Sequence, residues 1–534
     1  MPTCGEAIVP LLEQFGVEVV FGIPGVHTLE LYRGLTGSRI RHITPRHEQG
    51  AAFMAAGYGI VSGRPGVCLL ITGAGLTNAA TAVASAYHDS QPLLILSSAT
   101  ATADAGRGHG SLHDLPDQQR FMASICGSSR TIDRPEQLPD ALVEAFTVFD
   151  SSRSRPVHIG IPIDVLDQEC EPMTLPVAAE TVTGTVDQVA LERAAELLAV
   201  AQNPILLLGG GAVDGGTAAL RIAAAVGAPV VTTTNGKGIV PDSHPAALGS
   251  TLTLEPVYSA LTEADVVLAV GSEFSEVDYY YAPGVPAPSG RLIRIDIDPS
   301  QLDRRPLPDV ALIGDAAKLL DRLADLLETR TPSTAVALAG ERAARLRAGL
   351  RWWPDASTYF PVLDAIAAAL PDDAVIAADS TQLAYVANAY LPASRPRSYL
   401  CPAGFGTLGP ALPMAIGAKI AAPQRPVACL VGDGGLLFTI QELATAAELG
   451  LPLAVILWQN HGYGEIRDAM TAAGVPHIGT DATAHNYRQI AAGFGCNTAR
   501  PQTLDHVTKA IATAFAADQP TVIELAADRF LSKR

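Results

Sequence analysis

The chain has 534 residues, of which 48% are hydrophobic and 17% are charged, and its formal net charge is −18. This length fits about three domains rather than one core, and the negative charge argues against nucleic acid or an anionic membrane surface as a partner. The seven cysteines form no C-x-x-C pair, which predicts reduced thiols and a cytoplasmic protein. The N-terminus has no basic segment and the apolar runs are short, so we expect neither a signal peptide nor a membrane span.

The first region, residues 1–170, alternates helix and strand patterns. Helices are expected at 4–15, 48–61 and 76–87, and strands at 18–21, 67–71, 92–97 and 156–160. This alternation predicts an α/β fold with a doubly wound parallel sheet. A stretch rich in Pro, Thr and Val over 171–186 predicts a linker.

The second region, 187–329, repeats the rhythm, with strands expected at 204–208, 229–233, 266–270 and 292–296. Its Gly209-Gly210-Gly211 run does not fit G-x-G-x-x-G, so a tight turn is favoured over a nucleotide site. A partly helical connection is expected over 330–357, ending in Trp352-Trp353-Pro354.

The third region, 358–534, has the same alternation. Helices are expected at 360–369, 409–421, 438–449 and 486–493, and strands at 374–377, 427–431, 453–457 and 521–525. The sequence therefore predicts three doubly wound parallel-sheet domains, with the boundaries 1–170, 187–329 and 358–534.

Two polar segments follow neighbouring strands of the third region. Gly432-Asp433-Gly434-Gly435 ends one strand, and Asn460-His461-Gly462 ends the next. Because the carboxyl ends of parallel strands meet at one edge, Asp433 and Asn460 are expected to converge. With the Gly462 carbonyl they form an oxygen site for Mg²⁺ or Ca²⁺ that leaves room for phosphate oxygens. The glycines and a helix from about Phe438 would favour a diphosphate there.

The triplet at Asp433 followed by Asn460 resembles the cofactor motif of thiamine-diphosphate-dependent enzymes. Segments 41–59, 71–94, 378–384 and 404–418 resemble other segments of that family. The resemblance implies a cation held by Asp433, Asn460 and Gly462. It implies cofactor contacts at Glu48, Thr72, Gly73, Asn78, Thr381, Gln382, Gly406, Leu408, Asp433, Gly434, Gly435, Asn460, Gly462 and Tyr463.

Glu48 stands at the start of an Ala-rich helix. Taken alone, it would be a first-turn glutamate that complements the helix dipole. The resemblance implies instead that it bonds N1′ of the aminopyrimidine ring, so that the cofactor supplies the nucleophile. Leu408 falls where the family places a prop under the bent cofactor, although a core leucine is the alternative. The resemblance also implies a homodimer or homotetramer with active sites at the subunit interface.

His27 lies at the tip of GIPGVHTLELY, where similar enzymes carry a side chain that handles protons. Histidine titrates near neutrality and suits that role, and a solvent-facing histidine at a helix start is the alternative. His113 and Asp114 lie on a loop expected at the same cleft. With Glu48 and Glu465, His27 and His113 are the candidate catalytic residues.

Glu465 and Ile466 fall on the helix that lines the substrate pocket of the family. Ala469 stands where acetolactate synthases carry tryptophan, which implies a longer pocket. Glu465, if buried, requires a cation or a hydrogen-bond donor, and an exposed helix glutamate is the alternative. The sequence resembles the acetolactate-synthase-like branch and is most similar to 5-guanidino-2-oxopentanoate (2-ketoarginine) decarboxylases, which implies decarboxylation of a 2-oxo acid with a cationic tail to an aldehyde.

Two other functions compete with this interpretation. One is acetolactate-synthase-type carboligation of pyruvate, but GSEFSEVDYYY (271–281) departs from the flavin-associated segment of those enzymes, so FAD is not expected. The other is a non-catalytic structural or regulatory paralogue. The presence of Glu48, Asp433 and Asn460 argues against it.

Overall fold

The computed structural model describes residues 1–176, 187–330, 335–352, 356–482 and 485–531. It contains three six-stranded sheets in which neighbouring strands are parallel, with helices packed on both faces. The predicted α/β fold of three doubly wound sheets is confirmed. The three domain boundaries stay predictions, and most of the linker predicted at 171–186, together with Trp353 and Pro354, lies outside the described residues.

The first sheet has the strand order β2-β1-β3-β4-β6-β5. Its strands are β1 (Val19–Gly22), β2 (Arg41–Ile43), β3 (Gly66–Leu70), β4 (Leu93–Ala99), β5 (Ser128–Thr131) and β6 (Val157–Pro162). Its helices are α1 (Cys4–Gln14), α2 (Leu29–Leu35), α3 (Glu48–Ser62), α4 (Ala74–His88), α5 (Gln118–Ala123), α6 (Leu138–Ser151) and α7 (Ile163–Leu166). Its central strands are buried on both faces, as a covered parallel sheet requires.

The second sheet has the order β12-β11-β10-β7-β8-β9. Its strands are β7 (Pro204–Leu208), β8 (Val230–Thr232), β9 (Ala247–Gly249), β10 (Val266–Val270), β11 (Arg291–Asp296) and β12 (Val310–Ile313). Its helices are α8 (Gln188–Val200), α9 (Gly216–Val226), α10 (Glu255–Glu263), α11 (Pro299–Leu302) and α12 (Ala316–Glu328). Helix α13 (Ala335–Ala348) follows within the connection to the third sheet.

The third sheet has the order β14-β13-β15-β16-β18-β17. Its strands are β13 (Val375–Ala378), β14 (Tyr399–Leu400), β15 (Val427–Gly432), β16 (Leu453–Gln459), β17 (Asn497–Ala499) and β18 (Thr521–Ala526). Its helices are α14 (Phe360–Ala367), α15 (Gln382–Tyr390), α16 (Ala411–Ala421), α17 (Asp433–Thr439), α18 (Glu442–Glu448), α19 (Gly464–Ala472), α20 (Tyr487–Gly493), α21 (Leu504–Phe515) and α22 (Ala527–Phe530).

The helix predicted at 438–449 is wrong at its start and in its continuity. Helix α17 begins at Asp433 itself, and α18 begins at Glu442 after a break at residues 440 and 441. Gly434 and Gly435, which we expected to lie in a loop, form the first turn of α17. Tertiary packing around these glycines overrides their poor helix propensity.

The first and third sheets share one hydrophobic core through helices α3 and α16. A Cβ on Gly57 would overlap the Met414 carbonyl, and a Cβ on Gly417 would overlap the Met54 carbonyl. The two helix backbones therefore approach more closely than any side chain would allow. One cluster of buried apolar residues joins strands and helices of both sheets.

All seven cysteines are buried and free, as predicted. Among the residues that the structure describes, none of the helices combines the length and the apolar character needed to cross a bilayer.

Candidate active site

The predicted site residues lie at the carboxyl ends of two sheets. We call the loops after β1 to β4, which carry His27, Glu48, Thr72 and His113, the first-sheet edge. We call the loops after β13 to β16, which carry Thr381, Leu408, Asp433 and Asn460, the third-sheet edge. Ligands of open parallel sheets bind at such edges.

Asp433 and Asn460 converge at the third-sheet edge because β15 and β16 are neighbours in register, Gly432 opposite Trp458. Asp433 is buried, and its Oδ2 accepts the backbone N–H of His461 at 2.7 Å. Its Oδ1 accepts the N–H of Gly434 at 2.9 Å. Burial raises the pKa of Asp433. A nearby cation would act in the opposite direction and favour the charged carboxylate.

The side-chain amide of Asn460 turns one atom toward two oxygens. That atom lies 3.1 Å from Asp433 Oδ1 and 2.8 Å from the Gly462 carbonyl oxygen, and both distances suit the amide nitrogen as the donor to these two oxygens. A cation between the groups would instead favour the amide oxygen on this side, because three oxygens close together repel one another. The set of carboxylate, amide and carbonyl oxygens fits a hard divalent cation. It needs no cluster of three acidic, histidine or cysteine ligands, and none occurs in the described part of the chain.

The glycines of this edge make room for protein side chains. A Cβ on Gly434 would lie 2.8 Å from the Tyr463 ring, and one on Gly435 would lie 2.7 Å from Asp379 Oδ1. Side chains at these positions would push Tyr463 and Asp379 away from α17. The glycines therefore let the start of α17 pack closely against its neighbours.

Asp379 is a site residue that the sequence patterns did not single out. It is buried after β13, and its carboxylate accepts backbone N–H groups of Ser380 at 2.9 Å, Gly409 at 3.1 Å and Ala411 at 3.3 Å. Desolvation raises its pKa to about 6, and these donors oppose that shift. The carboxylate fixes the loop that carries Leu408. The residues next to Asp379 in the sequence gave no signal of that contact.

Arg467 supports the loop of Asn460 and was also missed. Its guanidinium donates to the Asn460 carbonyl at 2.6 Å and to the His461 carbonyl at 3.3 Å, and it pairs with Asp481 at 3.0 Å. The N–H of Tyr463 donates to the Thr480 carbonyl at 2.8 Å. The loop is thus held from outside while the Gly462 carbonyl faces Asn460.

Gln382 connects the cation ligands to Glu465. Its Oε1 lies 3.2 Å from the Asn460 side-chain amide, and its Nε2 donates to Asp468 at 2.7 Å. Its side chain is also close enough to Glu465 to lower the pKa of that carboxyl, against the larger effect of burial. Glu465 is partly buried, and desolvation raises its pKa.

Two tyrosines lie near Glu465. Burial, and then the charge of Glu465, raise the pKa of Tyr385 to about 12 and raise that of Tyr281 as well. Tyr281 belongs to the segment that follows β10 of the second sheet, so this acidic and aromatic cluster joins residues of two sheets. Ile466 and Ala469 lie on the same helix and are exposed.

Glu48 is the first residue of α3 at the first-sheet edge. Its Oε2 accepts the Asn78 side-chain amide at 2.9 Å, which brings two predicted cofactor residues together. His47 caps the helix, because its Nδ1 accepts the N–H of Gln49 at 3.1 Å. Glu48 is partly exposed and Asn78 is exposed in the single chain.

Thr72 and Gly73 lie beneath the loop of His113. The Thr72 hydroxyl bonds Gln118 Oε1 at 2.5 Å and approaches the His113 carbonyl at 3.4 Å. A Cβ on Gly73 would overlap that same carbonyl. Gln118, a buried residue that the sequence patterns did not single out, continues the network to Ser97 at 3.1 Å.

The two candidate catalytic histidines meet. The rings of His27 and His113 lie 5.3 Å apart, edge to face. Burial and the neighbouring His113 lower the pKa of His27, so His27 is neutral at pH 7. Asp114 turns away and accepts the Thr100 hydroxyl at 2.8 Å.

The predicted site residues of the two edges do not bond to each other within the described part of one chain. Within the described ranges, no hydrogen bond or ion pair joins a predicted residue of the first-sheet edge to one of the third-sheet edge. Leu408 is only partly buried, and a Cβ on Gly406 would meet nothing within 4 Å. The apolar side chains of Val26, Leu112 and Phe438 beside the edges are exposed.

Three domain models of thiamine pyrophosphate enzymes match the chain. The N-terminal TPP binding domain matches residues 2–121, the central domain matches 191–323 and the C-terminal TPP binding domain matches 379–525. Together they cover most of the described sheets.

Individual proteins match over almost the whole chain. The protein named "Probable 2-ketoarginine decarboxylase AruI" of Pseudomonas aeruginosa is 46% identical over 98% of this chain and 94% of its own length. The acetolactate synthase isozyme 1 large subunit of Escherichia coli is 34% identical over 93% of this chain and 89% of its own length. The solved structure titled "X-ray structure of a putative thiamin diphosphate-dependent enzyme isolated from Mycobacterium smegmatis" superposes with a TM-score of 0.82. It is 26% identical, and the match covers 98% of this chain and 99% of that chain.

Proposed function

Because the chain belongs to the thiamine pyrophosphate enzyme family, we propose that it decarboxylates a 2-oxo acid with a cationic tail, such as 5-guanidino-2-oxopentanoate, to an aldehyde and carbon dioxide. The reaction is non-oxidative. The observation that carries the proposal is the partly buried carboxylate of Glu465. Gln382 lies between this carboxylate and Asn460, one of the proposed cation ligands.

The surroundings of Glu465 suit a guanidinium group. A desolvated carboxylate requires a charged or donating partner, and a planar guanidinium supplies paired N–H donors. Tyr281 and Tyr385 add aromatic faces near that carboxylate, and such faces attract cations. Gln382 places this cluster beside Asn460, so a substrate tail at Glu465 leaves its other end near the third-sheet edge.

The third-sheet edge would hold the cofactor's diphosphate through a divalent cation. Asp433, Asn460 and the Gly462 carbonyl would bind the cation, and Thr381, Gly434, Gly435 and Tyr463 would surround the phosphates. When bound, thiamine diphosphate supplies the carbon nucleophile and the electron sink for the loss of carbon dioxide.

The first-sheet edge would handle protons. Glu48 would hold a proton at the aminopyrimidine N1′, and Asn78 orients its carboxyl by the 2.9 Å hydrogen bond. His27 is neutral at pH 7 and would accept or return a proton at the reacting carbon, with His113 beside it. Thr72 and Gly73 position the loop of His113.

These two edges would form one site between two chains. Exposed apolar residues flank both edges, with Val26 64% and Leu112 62% exposed at the first and Phe438 46% exposed at the third. Apolar groups of this size suit burial against a second copy. A homodimer, or a homotetramer built from two dimers, would complete each site.

A flavin is not expected in the second sheet. The turns after β7 and β10 pack on each other, since a Cβ on Gly209 would overlap the Gly271 carbonyl. The buried Arg294 donates to the carbonyls of Ser272 at 3.1 Å and Arg304 at 3.1 Å. These contacts bring protein groups together at the strand ends, where a dinucleotide would approach. This favours decarboxylation over the flavin-associated synthase chemistry of the alternative.

The test compares 5-guanidino-2-oxopentanoate with a neutral 2-oxo acid of similar length, with thiamine diphosphate and Mg²⁺ present. Glu465→Gln should raise the KM for the guanidino substrate about tenfold or more, because hydrogen bonds to charged groups contribute about 1.5–3 kcal/mol. The KM of the neutral substrate should change less than about twofold.

Glu263→Gln, which changes an exposed carboxylate at the end of α10, is the matched control and should have a small effect on either substrate. Equal effects of Glu465→Gln on both substrates would reject charge recognition. A product from pyruvate of the acetoin or acetolactate type, with no aldehyde from the guanidino acid, would favour the carboligase.

A further inference from the structure

We infer that Glu442 is a positioning residue that holds the first turn of α3, and thereby Glu48, in place from the third sheet. The inference rests on the proposed function in that it takes Glu48 as the group that acts on the cofactor. Glu442 lies at the start of α18, and none of the sequence motifs included it.

The carboxylate of Glu442 is fully buried at the N-terminus of α3. Its two oxygens each lie 3.1 Å from the backbone nitrogen of Arg46, two residues before Glu48. The hydroxyl of Thr445 donates to its Oε2 at 2.8 Å. The contact joins residues 396 positions apart in the sequence, so it ties the two sheets together at this point.

The first turn of a helix has backbone N–H groups without partners inside the helix. At α3, the His47 ring accepts the N–H of Gln49 in the first turn, and Glu442 accepts the N–H of Arg46, the residue before the N-cap. A carboxylate at this end also complements the helix dipole. Since Glu48 is the first residue of α3, the backbone on both sides of it is fixed by these acceptors.

Gly50 allows Glu442 to approach. A Cβ on Gly50 would overlap the carboxylate of Glu442. The absence of a side chain at this position in α3 is therefore required by the contact itself. The same carboxylate cannot stay in place beside an alanine.

Glu442 also lies close to the cation ligands in the chain. Asp433 begins α17, α17 ends at Thr439, and α18 begins at Glu442. One short helix and two further residues thus connect Asp433 to the residue that holds α3. A change in the position of α17 when the cation and diphosphate bind would move Glu442, and so alter the placement of Glu48.

Glu448 provides a matched control on the same helix. It pairs with the side chain of Arg46 at the surface, and its own side chain is 65% exposed. Glu442 and Glu448 therefore contact the same residue, one through a buried backbone group and the other through an exposed ion pair. An exposed pair of this kind contributes little.

The experiment measures the rate of hydrogen–deuterium exchange at C2 of thiamine diphosphate bound to the full-length protein. Glu442→Gln keeps the shape but removes the charge, and it should slow exchange about tenfold or more while the Kd of the cofactor changes less than about threefold. Glu448→Gln should leave both quantities unchanged. Gly50→Ala displaces the Glu442 carboxylate without removing it and should slow exchange as Glu442→Gln does.

Glu48→Gln serves as the reference variant. If Glu48→Gln slows exchange and Glu442→Gln does not, the positioning role of Glu442 is wrong while the proposed function stands. If Glu48→Gln leaves exchange unchanged, the proposed role of Glu48 and this inference both fail. Should Glu442→Gln not fold, Gly50→Ala decides, and unchanged exchange in that variant overturns the inference.

Discussion

The third-sheet edge and the first-sheet edge differ in how far one chain satisfies their polar groups. At the third, buried Asp433 and Asp379 each accept several backbone N–H groups, and Arg467 holds the neighbouring loop. At the first, Glu48 has Asn78 as its side-chain partner, and His27 Nδ1 is buried without a hydrogen-bond partner among the described residues. The difference agrees with the proposed roles, in which the third-sheet edge anchors the cofactor within one chain and the first-sheet edge handles protons for a partner.

The largest test of this contrast is Glu48→Gln. We expect kcat to fall about 10²–10⁴-fold, the range of a positioned acid or base, because glutamine cannot exchange a proton. The melting temperature should stay nearly constant, since Glu48 is partly exposed and Gln can still bond Asn78. Steady-state kinetics and thermal unfolding measure the two quantities.

Glu144→Gln is the control for that variant, because Glu144 pairs with Arg130 on the surface of the same sheet. It should behave as the unmodified protein. Undiminished turnover in Glu48→Gln would remove the outward-facing edge from the chemistry.

Asp433→Asn tests the anchoring edge. Loss of the carboxylate charge should weaken the binding of Mn²⁺, in the presence of thiamine diphosphate, about 100-fold, or about 2.7 kcal/mol. The metal-free protein should be no less stable, because burial disfavours the charged carboxylate when no cation is present. Electron paramagnetic resonance titration with Mn²⁺ and thermal unfolding without metal test these outcomes.

A suitable control is Asp518→Asn, at an exposed residue that precedes β18 and so lies toward the amino ends of the strands. Unaltered Mn²⁺ affinity in Asp433→Asn would show that the convergence of oxygens at this edge does not hold the cation.

The smallest expected effect is a pH shift at the first-sheet edge. Burial, and then the neighbouring His113, lower the pKa of His27, because two protonated rings at this distance would repel each other. His113→Asn removes that repulsion, so the pKa of His27 should rise. The inflection of the kcat profile that belongs to His27 should move to higher pH by a fraction of a unit, whichever protonation state the reaction uses.

His27→Asn identifies that inflection, because the variant should lack it. A profile of His113→Asn that coincides with that of the unmodified protein would separate the two rings in function despite their 5.3 Å distance.

The central strands of each sheet could be predicted from the sequence, whereas the outer strands could not. Runs such as 204–208 and 453–457 are apolar throughout because parallel strands are buried on both faces. The outer strands β2 and β5 of the first sheet, β9 and β12 of the second, and β14 and β17 of the third were all missed. Strand β5 has one exposed and three partly exposed residues, so it carries no continuous apolar signal.

The meeting of Asp433 with Asn460 was predictable because strand adjacency alone brings them together. The contact of Glu442 with Arg46 was not, because it depends on how two sheets pack. The split between α17 and α18 was not predictable either, because the helical pattern of 438–449 runs through it without interruption. The roles of the site residues stay predictions until the variants are measured.

The close crossing of α3 and α16 has a consequence for dissecting this protein. The backbones of α3 and α16 touch at Gly57 and Gly417, so neither the first nor the third sheet covers its apolar face without the other. A fragment cut at the connections between the sheets would expose a large apolar surface. We expect such a fragment to precipitate rather than to function alone. A change on one helix of this crossing would need a matching change on the other, because each backbone fills the space that a side chain of its partner would need.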